Sequence, residues 1–289
     1  MLATHTSHPP PSRFYVAPGK YLLPADEPEA VRLKDQNDLL RRLFDNKSVI
    51  SPIDLGPESQ VLDIATGSGI WALDLVSEKP NIGHVQCADI SMKLFPKEHP
   101  PNMAFGVASV LDLPAEWSNK FDLVHQRLLI CALKYDEWAV AIREVFRVTK
   151  PGGFAELCEC YLFKTGCGPY SRRYIDGYRE VVKYFSMDFE ISHRIPGLLL
   201  EAGFVDVHAE AKIVNFGPAG GEDGRRIALT QAGVARGIGG PLAVAGGLGV
   251  VDSQDEWEAL IDEVEKEWES EEGSNAEYPW FIFTARKPA

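Results

Sequence analysis

Hydrophobic positions along the chain follow two different periods. Apolar runs of strand length, bounded by turn residues, predict five β-strands. These runs are VLDI (61–64), HVQCADIS (84–91), MAFGVASV (103–110), FDLVHQRLLI (121–130) and FAELCECYLF (154–163). Between them, apolar residues spaced three or four apart predict helices over 70–78 and from Asp136 to Lys150. Because strands and helices alternate, right-handed crossovers and a mainly parallel sheet are expected.

The segments on either side of this alternation carry further periodic stretches. A helix is predicted over 27–44, and its apolar stripe includes the polar residues Gln36 and Asn37. These two residues indicate either a solvent-exposed edge or a face that covers a ligand pocket. In the C-terminal part we expect a helix near 174–185, a helix and a sixth strand within 195–216, and a helix near 253–268. A closing strand WFIFTARKP (280–288) is expected in antiparallel pairing. Ser253 and Glu256 form a capping box before the last of these helices.

Composition and charge narrow the classes of function. The chain has 289 residues, 45% of them hydrophobic, which is enough for a full core. Its formal net charge of −13 would repel nucleic acid and acidic membranes, so neither is expected as a partner. No apolar run is long enough to span a bilayer and the N-terminus does not resemble a secretory signal, so the expected location is cytoplasmic. The five cysteines lack C-x-x-C spacing and are expected to be reduced packing residues, with no metal site.

The turn after the first strand carries the strongest chemical signal. Gly67 and Gly69, with Ala72, satisfy the spacing of a dinucleotide-binding turn. Asp89 ends the second strand, where a carboxylate can accept hydrogen bonds from both ribose hydroxyls of an adenosine. Both NAD and S-adenosylmethionine contain that ribose. Asp63, before the turn, suits a cationic ligand better than a pyrophosphate, and therefore favours S-adenosylmethionine.

These motifs resemble those of a known family. VLDIATGSG, ADIS, FDLVHQR and EVFRVTKPGGFAEL look like the ordered motifs of class I S-adenosylmethionine-dependent methyltransferases. YLLPADEPEAVRLKDQNDLL and YPWFIFTARKP are similar to fungal secondary-metabolism methyltransferases of the LaeA type. The resemblance implies a Rossmann-like α/β fold with a seven-stranded sheet, mostly parallel with an antiparallel last strand, and helices on both faces.

The resemblance also implies a domain organisation. Residues 1–18 are expected to form a disordered tail, and residues 19–289 a single methyltransferase domain. Within it we expect a helical cap at 19–56, a cofactor-binding half at 57–165 and a substrate-side half at 166–289. The glycine-rich segment 217–250 departs from the family pattern, and we expect it to be irregular or loosely helical, as a mobile substrate lid.

Site residues follow from the same resemblance. Asp63, Gly67 and Gly69 are expected at the methionine end of the cofactor, and Asp89 at the ribose. The remaining cofactor-binding candidates are Tyr21 in the cap, Gln126 beside the methyl group, and Ser109 and Val110 at the adenine. Relatives often carry an aspartate where this chain has Ser109.

Catalysis has fewer candidates in the sequence. His125 and His193 are the possible general bases, although His125 could equally be packed at a strand end and His193 could face solvent. Aromatic residues could line an acceptor pocket or belong to the core: Tyr170, Tyr174, Tyr178, Tyr184 and Phe185.

The expected function is methyl transfer from S-adenosylmethionine to O, N or S of a small, largely apolar metabolite. The alternatives are a regulatory or binding protein with this fold, a cofactor-dependent rearrangement without methyl transfer, and a nicotinamide oxidoreductase. The sequence leaves the acceptor, the methylated atom and the oligomeric state open.

Overall fold

The fold is a central sheet with helices packed against it. The computed structural model describes residues 21–161, 168–270 and 276–289. The strands are β1 (Gln60–Ile64), β2 (His84–Asp89), β3 (Met103–Val107), β4 (Phe121–Arg127), β5 (Thr149–Cys160), β6 (Val205–Asn215) and β7 (Glu277–Arg286). The α-helices are α1 (Glu27–Leu43), α2 (Ile70–Glu78), α3 (Glu137–Val148), α4 (Pro169–Tyr184), α5 (Ile191–Ala202), α6 (Gly221–Val244) and α7 (Gln254–Glu269). The predicted tail, 1–18, lies outside the described residues.

The seven strands pair in the order β3-β2-β1-β4-β5-β7-β6. Strands β1 to β5 pair with one another in parallel, whereas β7 is antiparallel to both β5 and β6. The predicted sheet and its antiparallel closing strand are therefore confirmed. Strand order reverses between β1 and β4, which places the expected ligand crevice at the carboxyl ends of these two strands.

The two faces of the parallel strands bury different sets of side chains. On one face, Val61 and Leu123 pack in a cluster with Trp71 and Leu75 of α2. On the other, Leu62 and Val124 belong to the larger cluster, which contains the buried stripe of α3: Trp138, Ala141, Ile142, Val145 and Val148. Side chains that alternate along each strand thus fill both layers, as expected for strands covered on both sides.

Local capping explains where several helices begin. Asp26 accepts a hydrogen bond from the backbone N–H of Glu29 at 3.0 Å and starts α1. Ser253 accepts from the N–H of Glu256 at 3.1 Å and starts α7, as the capping box predicts. The Glu256 carboxylate in turn accepts from the N–H of Asp252 at 2.8 Å.

The fifth strand begins earlier than its predicted start at Phe154, because the KPGG segment (150–153) after α3 belongs to it. The helix ends at Val148, but β5 already starts at Thr149 and includes the segment. The register with β4 shifts between Phe121 and Leu123, which accommodates the irregular start. A Cβ at Gly153 would meet the Asp122 carbonyl oxygen at 2.8 Å, so close strand packing requires this glycine.

The glycine-rich segment also differs from its prediction. It was expected to be irregular or loosely helical, and it is more regular than that: it contains the 24-residue helix α6, followed by a short 3-10 turn at Gly246–Gly249. A Cβ would lie 2.9 Å from Arg32 at Gly233, 3.0 Å from Leu23 at Gly237 and 2.9 Å from Trp257 at Gly239. These glycines therefore let α6 approach α1, the preceding cap segment and α7.

The cysteines and the helices give two further results. Cys87, Cys131, Cys158 and Cys160 are buried free thiols, as expected for packing residues, and Cys167 lies outside the described residues. In the part of the chain that the structure describes, no helix combines the length and the hydrophobicity needed to cross a bilayer.

Candidate active site

The turn between β1 and α2 is held by a buried network beneath it. Asp63 accepts hydrogen bonds from the Thr66 hydroxyl at 2.6 Å and from Nδ1 of His125 at 2.7 Å. The His125 ring in turn stacks on Trp71, with centroids 3.6 Å apart. Ala65 and Gly67 both have φ of 55°, a left-handed conformation that the network stabilises. Asp63 and His125 therefore shape the turn from behind.

Asp89 ties the end of β2 to the same turn. Its carboxylate accepts hydrogen bonds from the N–H of Gly67 at 2.9 Å and of Ser91 at 3.0 Å. Burial raises the pKa of Asp89, while these backbone N–H groups act in the opposite direction. Each carboxylate oxygen has a second lone pair, so the side chain can still accept hydrogen bonds from ligand hydroxyls.

A cavity of about 590 Å³ opens above these elements. Its first part, at the carboxyl ends of the parallel strands, is lined by residues 64–68, Asp89–Ser91, 108–111 and Arg127. Its second part lies under the N-terminal cap and α6. The lining there includes Tyr21, Leu23, Ala25, Arg32, Leu33, Gln36, Leu129, Ile130, Cys131, Ala132, Leu133, Lys134, Glu137, Cys160, Tyr178, Gln231, Val234 and Tyr278.

Helix α1 contributes polar side chains to this cavity. Gln36 lines it, so of the two interpretations of the polar stripe, the ligand-pocket one applies to this residue. Asn37 is fully buried behind it, donating to Asp74 at 2.7 Å and accepting from Nη1 of Arg127 at 2.9 Å. Arg32 lines the cavity and pairs with Glu29 at 2.6 Å.

Five of the predicted cofactor-binding residues line the cavity: Tyr21, Gly67, Asp89, Ser109 and Val110. Asp63, Gly69 and Gln126 do not. Gly69 caps α2 with φ of 73°, and a Cβ there would meet the Phe105 ring at 2.8 Å, so packing rather than ligand contact requires this glycine. Gln126 is fully buried, and neither of its amide atoms has a hydrogen-bond partner among the described residues.

The candidate bases lie away from the cavity. His125 is buried on the α2 face of the sheet between Asp63 and Trp71, and it does not line the cavity. His193 is exposed on α5, with ring contacts to Tyr161 and Phe281. Of the five candidate aromatic residues, Tyr178 lines the cavity. Tyr174 belongs to the core, and the side chains of Tyr170 and Tyr184 are exposed.

Sequence reasoning missed two charged residues near the cavity, the half-buried Arg127 and the buried Glu159. Arg127 lines it at the end of β4, in the quoted motif FDLVHQR, and its position at a strand end was the available signal. Glu159 on β5 accepts from the N–H of Leu129 at 2.7 Å, and burial raises its pKa to about 8. An acidic residue in an apolar strand run was the signal for Glu159.

The turn and the first part of the cavity fit an adenosyl cofactor. The left-handed Gly67 leaves room for a ligand beside the backbone, and Asp89 offers acceptors for a ribose. No phosphate is needed to account for the site, and the buried acid Asp63 below the turn disfavours one. The fold and the cleft together define a methyltransferase of the Rossmann-like class.

Comparison with known proteins gives the family. Residues 61–153 match the model of the family described as methyltransferase domain. The N-methyltransferase sirN of Leptosphaeria maculans is 31% identical over 217 residues, which cover 73% of this chain and 75% of that protein. The chain therefore belongs to the S-adenosylmethionine-dependent methyltransferases, and S-adenosylmethionine is its cofactor.

Two further proteins are similar to the chain, one in sequence and one in fold. The secondary metabolism regulator laeA of Fusarium oxysporum is 32% identical over 158 residues, or 51% of this chain and 47% of that protein. A solved structure of the phosphoethanolamine N-methyltransferase 2 of Haemonchus contortus, with S-adenosylhomocysteine, matches with a TM-score of 0.53 and 19% identity. The match covers 93% of this chain and 55% of that one, and at this low identity it shows the shared fold alone. The resemblance to fungal secondary-metabolism methyltransferases is confirmed.

Proposed function

We propose that this enzyme transfers the methyl group of S-adenosylmethionine to a nitrogen atom of a small, largely apolar metabolite. The similar Leptosphaeria maculans protein sirN is named an N-methyltransferase. The second part of the cavity supports an apolar acceptor, because Leu23, Leu33, Leu129, Ile130, Leu133 and Val234 line it.

The observation that carries the choice of nitrogen is the lack of a suitable base. No histidine is found among the described residues that line the second part of the cavity, the acceptor part. The two carboxylates that line the cavity, Asp89 and Glu137, already accept backbone N–H groups. Burial raises the pKa of Cys131 to about 11 and the pKa values of Tyr178 and Tyr278 well above their usual range. These groups remain protonated at neutral pH. An unprotonated amine needs no base to attack a methyl group, whereas an aliphatic hydroxyl does.

The protein's own contribution is then binding and orientation. The bound cofactor supplies a methyl group activated by its sulfonium. Gly67 and Asp89 would hold the adenosine and methionine parts, with Ser109 and Val110 at the adenine. The apolar wall of the acceptor part excludes water and holds the nitrogen in line with the methyl group, and such positioning accounts for much of the rate in reactions of this kind.

Partner and location are further parts of the proposal. The formal net charge of −13 supports a small-molecule acceptor over nucleic acid or an acidic membrane surface. The four buried free thiols support a reducing compartment, and we place the enzyme in the cytoplasm.

Matched acceptors test this function. The enzyme is incubated with methyl-labelled S-adenosylmethionine and pairs of apolar compounds that differ only in a secondary amine or a hydroxyl at the same position. We expect label on the amines, detected by mass spectrometry, and a rate that rises with pH along the titration of the amine. Label on the hydroxyl compounds, with the amines unchanged, would overturn the choice of nitrogen.

A further inference from the structure

Arg127 lines the first part of the cavity, which fits the adenosyl cofactor. It is the last residue of β4, one position beyond the pair Ile64–Gln126 that aligns β4 with β1. Its side chain therefore emerges beside the turn that begins at Ala65, and it lines the cavity. Asp89 ends β2 on the opposite side of β1. A ligand lying across the end of β1 has Asp89 at one side and Arg127 at the other.

The charge of Arg127 is balanced only in part by the protein, through the more distant carboxylates of Asp63 and Asp74. No carboxylate of the described residues lies within ion-pair distance of its guanidinium. Its Nη1 donates a hydrogen bond to the neutral amide oxygen of Asn37 at 2.9 Å. By contrast, Arg32 on the same cavity is paired with Glu29. A guanidinium has five N–H donors, so most of those of Arg127 remain available. Burial lowers the pKa of Arg127, and the charges of Asp63 and Asp74 offset this effect only in part.

The guanidinium is also held in place before any ligand binds. Asn37, which accepts from Arg127, donates its own amide to Asp74 at 2.7 Å. Asp74 is further paired with Arg41 at 2.9 Å. This chain of contacts joins α1 and α2 behind Arg127 and fixes the side of the guanidinium that faces away from the cavity. A preorganised guanidinium loses less entropy when it binds a planar anion.

We propose that the Arg127 guanidinium binds the α-carboxylate of the methionine part of the cofactor. With the ribose at Asp89, the methionine part extends across the Gly67 turn towards β4, where Arg127 presents its free N–H groups. A carboxylate and a guanidinium form paired, charge-assisted hydrogen bonds. A carboxylate on the acceptor would be the other source of the same chemistry. The proposal rests on the cofactor and not on the choice of nitrogen as acceptor.

A binding cycle tests the assignment without any acceptor or turnover. Calorimetry measures the dissociation constants of S-adenosylhomocysteine and of its decarboxylated analogue, S-adenosylthiopropylamine, for the unmodified enzyme and for Arg127→Met. For the unmodified enzyme we expect the carboxylate to strengthen binding by roughly 10- to 100-fold. In Arg127→Met this preference should fall to within about threefold, with the analogue binding almost as before. The ratio of the two constants is insensitive to any inactive fraction of the variant.

Two controls complete the cycle. Arg143→Met removes the same charge from an exposed position on α3 that does not line the cavity, and it should leave the preference unchanged. Arg127→Lys keeps the charge but loses the planar pair of guanidinium N–H donors, and it should retain part of the preference for the carboxylate. A preference that survives in Arg127→Met, or one that is absent from the unmodified enzyme, would overturn the proposal. The second result would direct attention to a carboxylate on the acceptor.

Discussion

Asp89 offers its carboxylate to the cavity while both of its oxygens already accept backbone N–H groups. If it also accepts the ribose hydroxyls, Asp89→Ala removes two charge-assisted hydrogen bonds. With water partly replacing them, S-adenosylhomocysteine should bind roughly a hundredfold more weakly. Asp112→Ala is the matched control, because Asp112 is exposed and does not line the cavity, and it should cost less than about tenfold. Calorimetry of both variants checks this, and a larger loss for Asp112→Ala would place the adenosine elsewhere.

Among the individual residues of the site, the glycine turn and Asp89 could be predicted from the sequence, because both depend only on their position at the end of a strand. It could not tell which face of the sheet opens on the cavity. Asp63 and His125 share the face covered by α2, where Trp71 stacks on the histidine, so both brace the turn. Arg127 also ends a strand, but the sequence could not show that it lines the cavity or that it lacks a direct ion pair among the described residues.

Helix α6 shows how an element can contradict its own composition. Glycine disfavours helix by about 1 kcal/mol relative to alanine, and this led to the expectation of a lid. In the structure, Gly233, Gly237 and Gly239 instead lie where a side chain would strike a neighbouring element. Close packing of the helix therefore offsets its poor intrinsic propensity. The i, i+4 spacing of Gly233 and Gly237 was a visible signal of such packing, but its partners come from distant parts of the chain.

Two alanine substitutions test this account of α6. In Gly239→Ala the new Cβ would lie 2.9 Å from Cδ1 of Trp257, a buried ring held by a 2.8 Å hydrogen bond from its Nε1 to the Ala235 carbonyl. We expect overpacking to outweigh the gain in propensity, with a net loss of about 1 kcal/mol in the free energy of unfolding. Gly197→Ala in α5 meets nothing within 4 Å and should be neutral or stabilising by up to about 1 kcal/mol. Chemical denaturation measures both, and equal gains at the two sites would contradict the packing role.

For the molecule as a whole, Glu159 links stability to pH. Its pKa is raised from 4.5 to about 8 by burial, and its Oε2 has no hydrogen-bond partner among the described residues. The folded protein therefore keeps a proton that the unfolded chain has lost between these two values. The contribution of Glu159 to stability is complete below about pH 4.5 and is lost as the pH rises through about 8.

Glu159→Gln tests this linkage, because the amide cannot ionise and can still accept from the Leu129 N–H. The free energy of unfolding of the variant minus that of the unmodified protein should increase from about pH 5 to pH 8, by at most about 1.4 kcal/mol per pH unit, and then level off. Glu116→Gln, at an exposed position, controls for the loss of any carboxylate. Parallel curves for Glu159→Gln and the unmodified protein would show that Glu159 does not titrate in this range.

The proposed function depends on an adenosyl cofactor that lies over the turn at Gly67. The most direct measurement is calorimetric titration of the unmodified protein and of Gly67→Val with S-adenosylhomocysteine and with NAD. Gly67 has φ of 55°, where a β-branched residue is strained, and a valine side chain would also fill space beside the turn. We predict one site for S-adenosylhomocysteine and none for NAD in the unmodified protein, with the site lost in a Gly67→Val variant whose circular dichroism shows a folded chain. Binding of NAD, or unchanged affinity for S-adenosylhomocysteine in folded Gly67→Val, would contradict the claim.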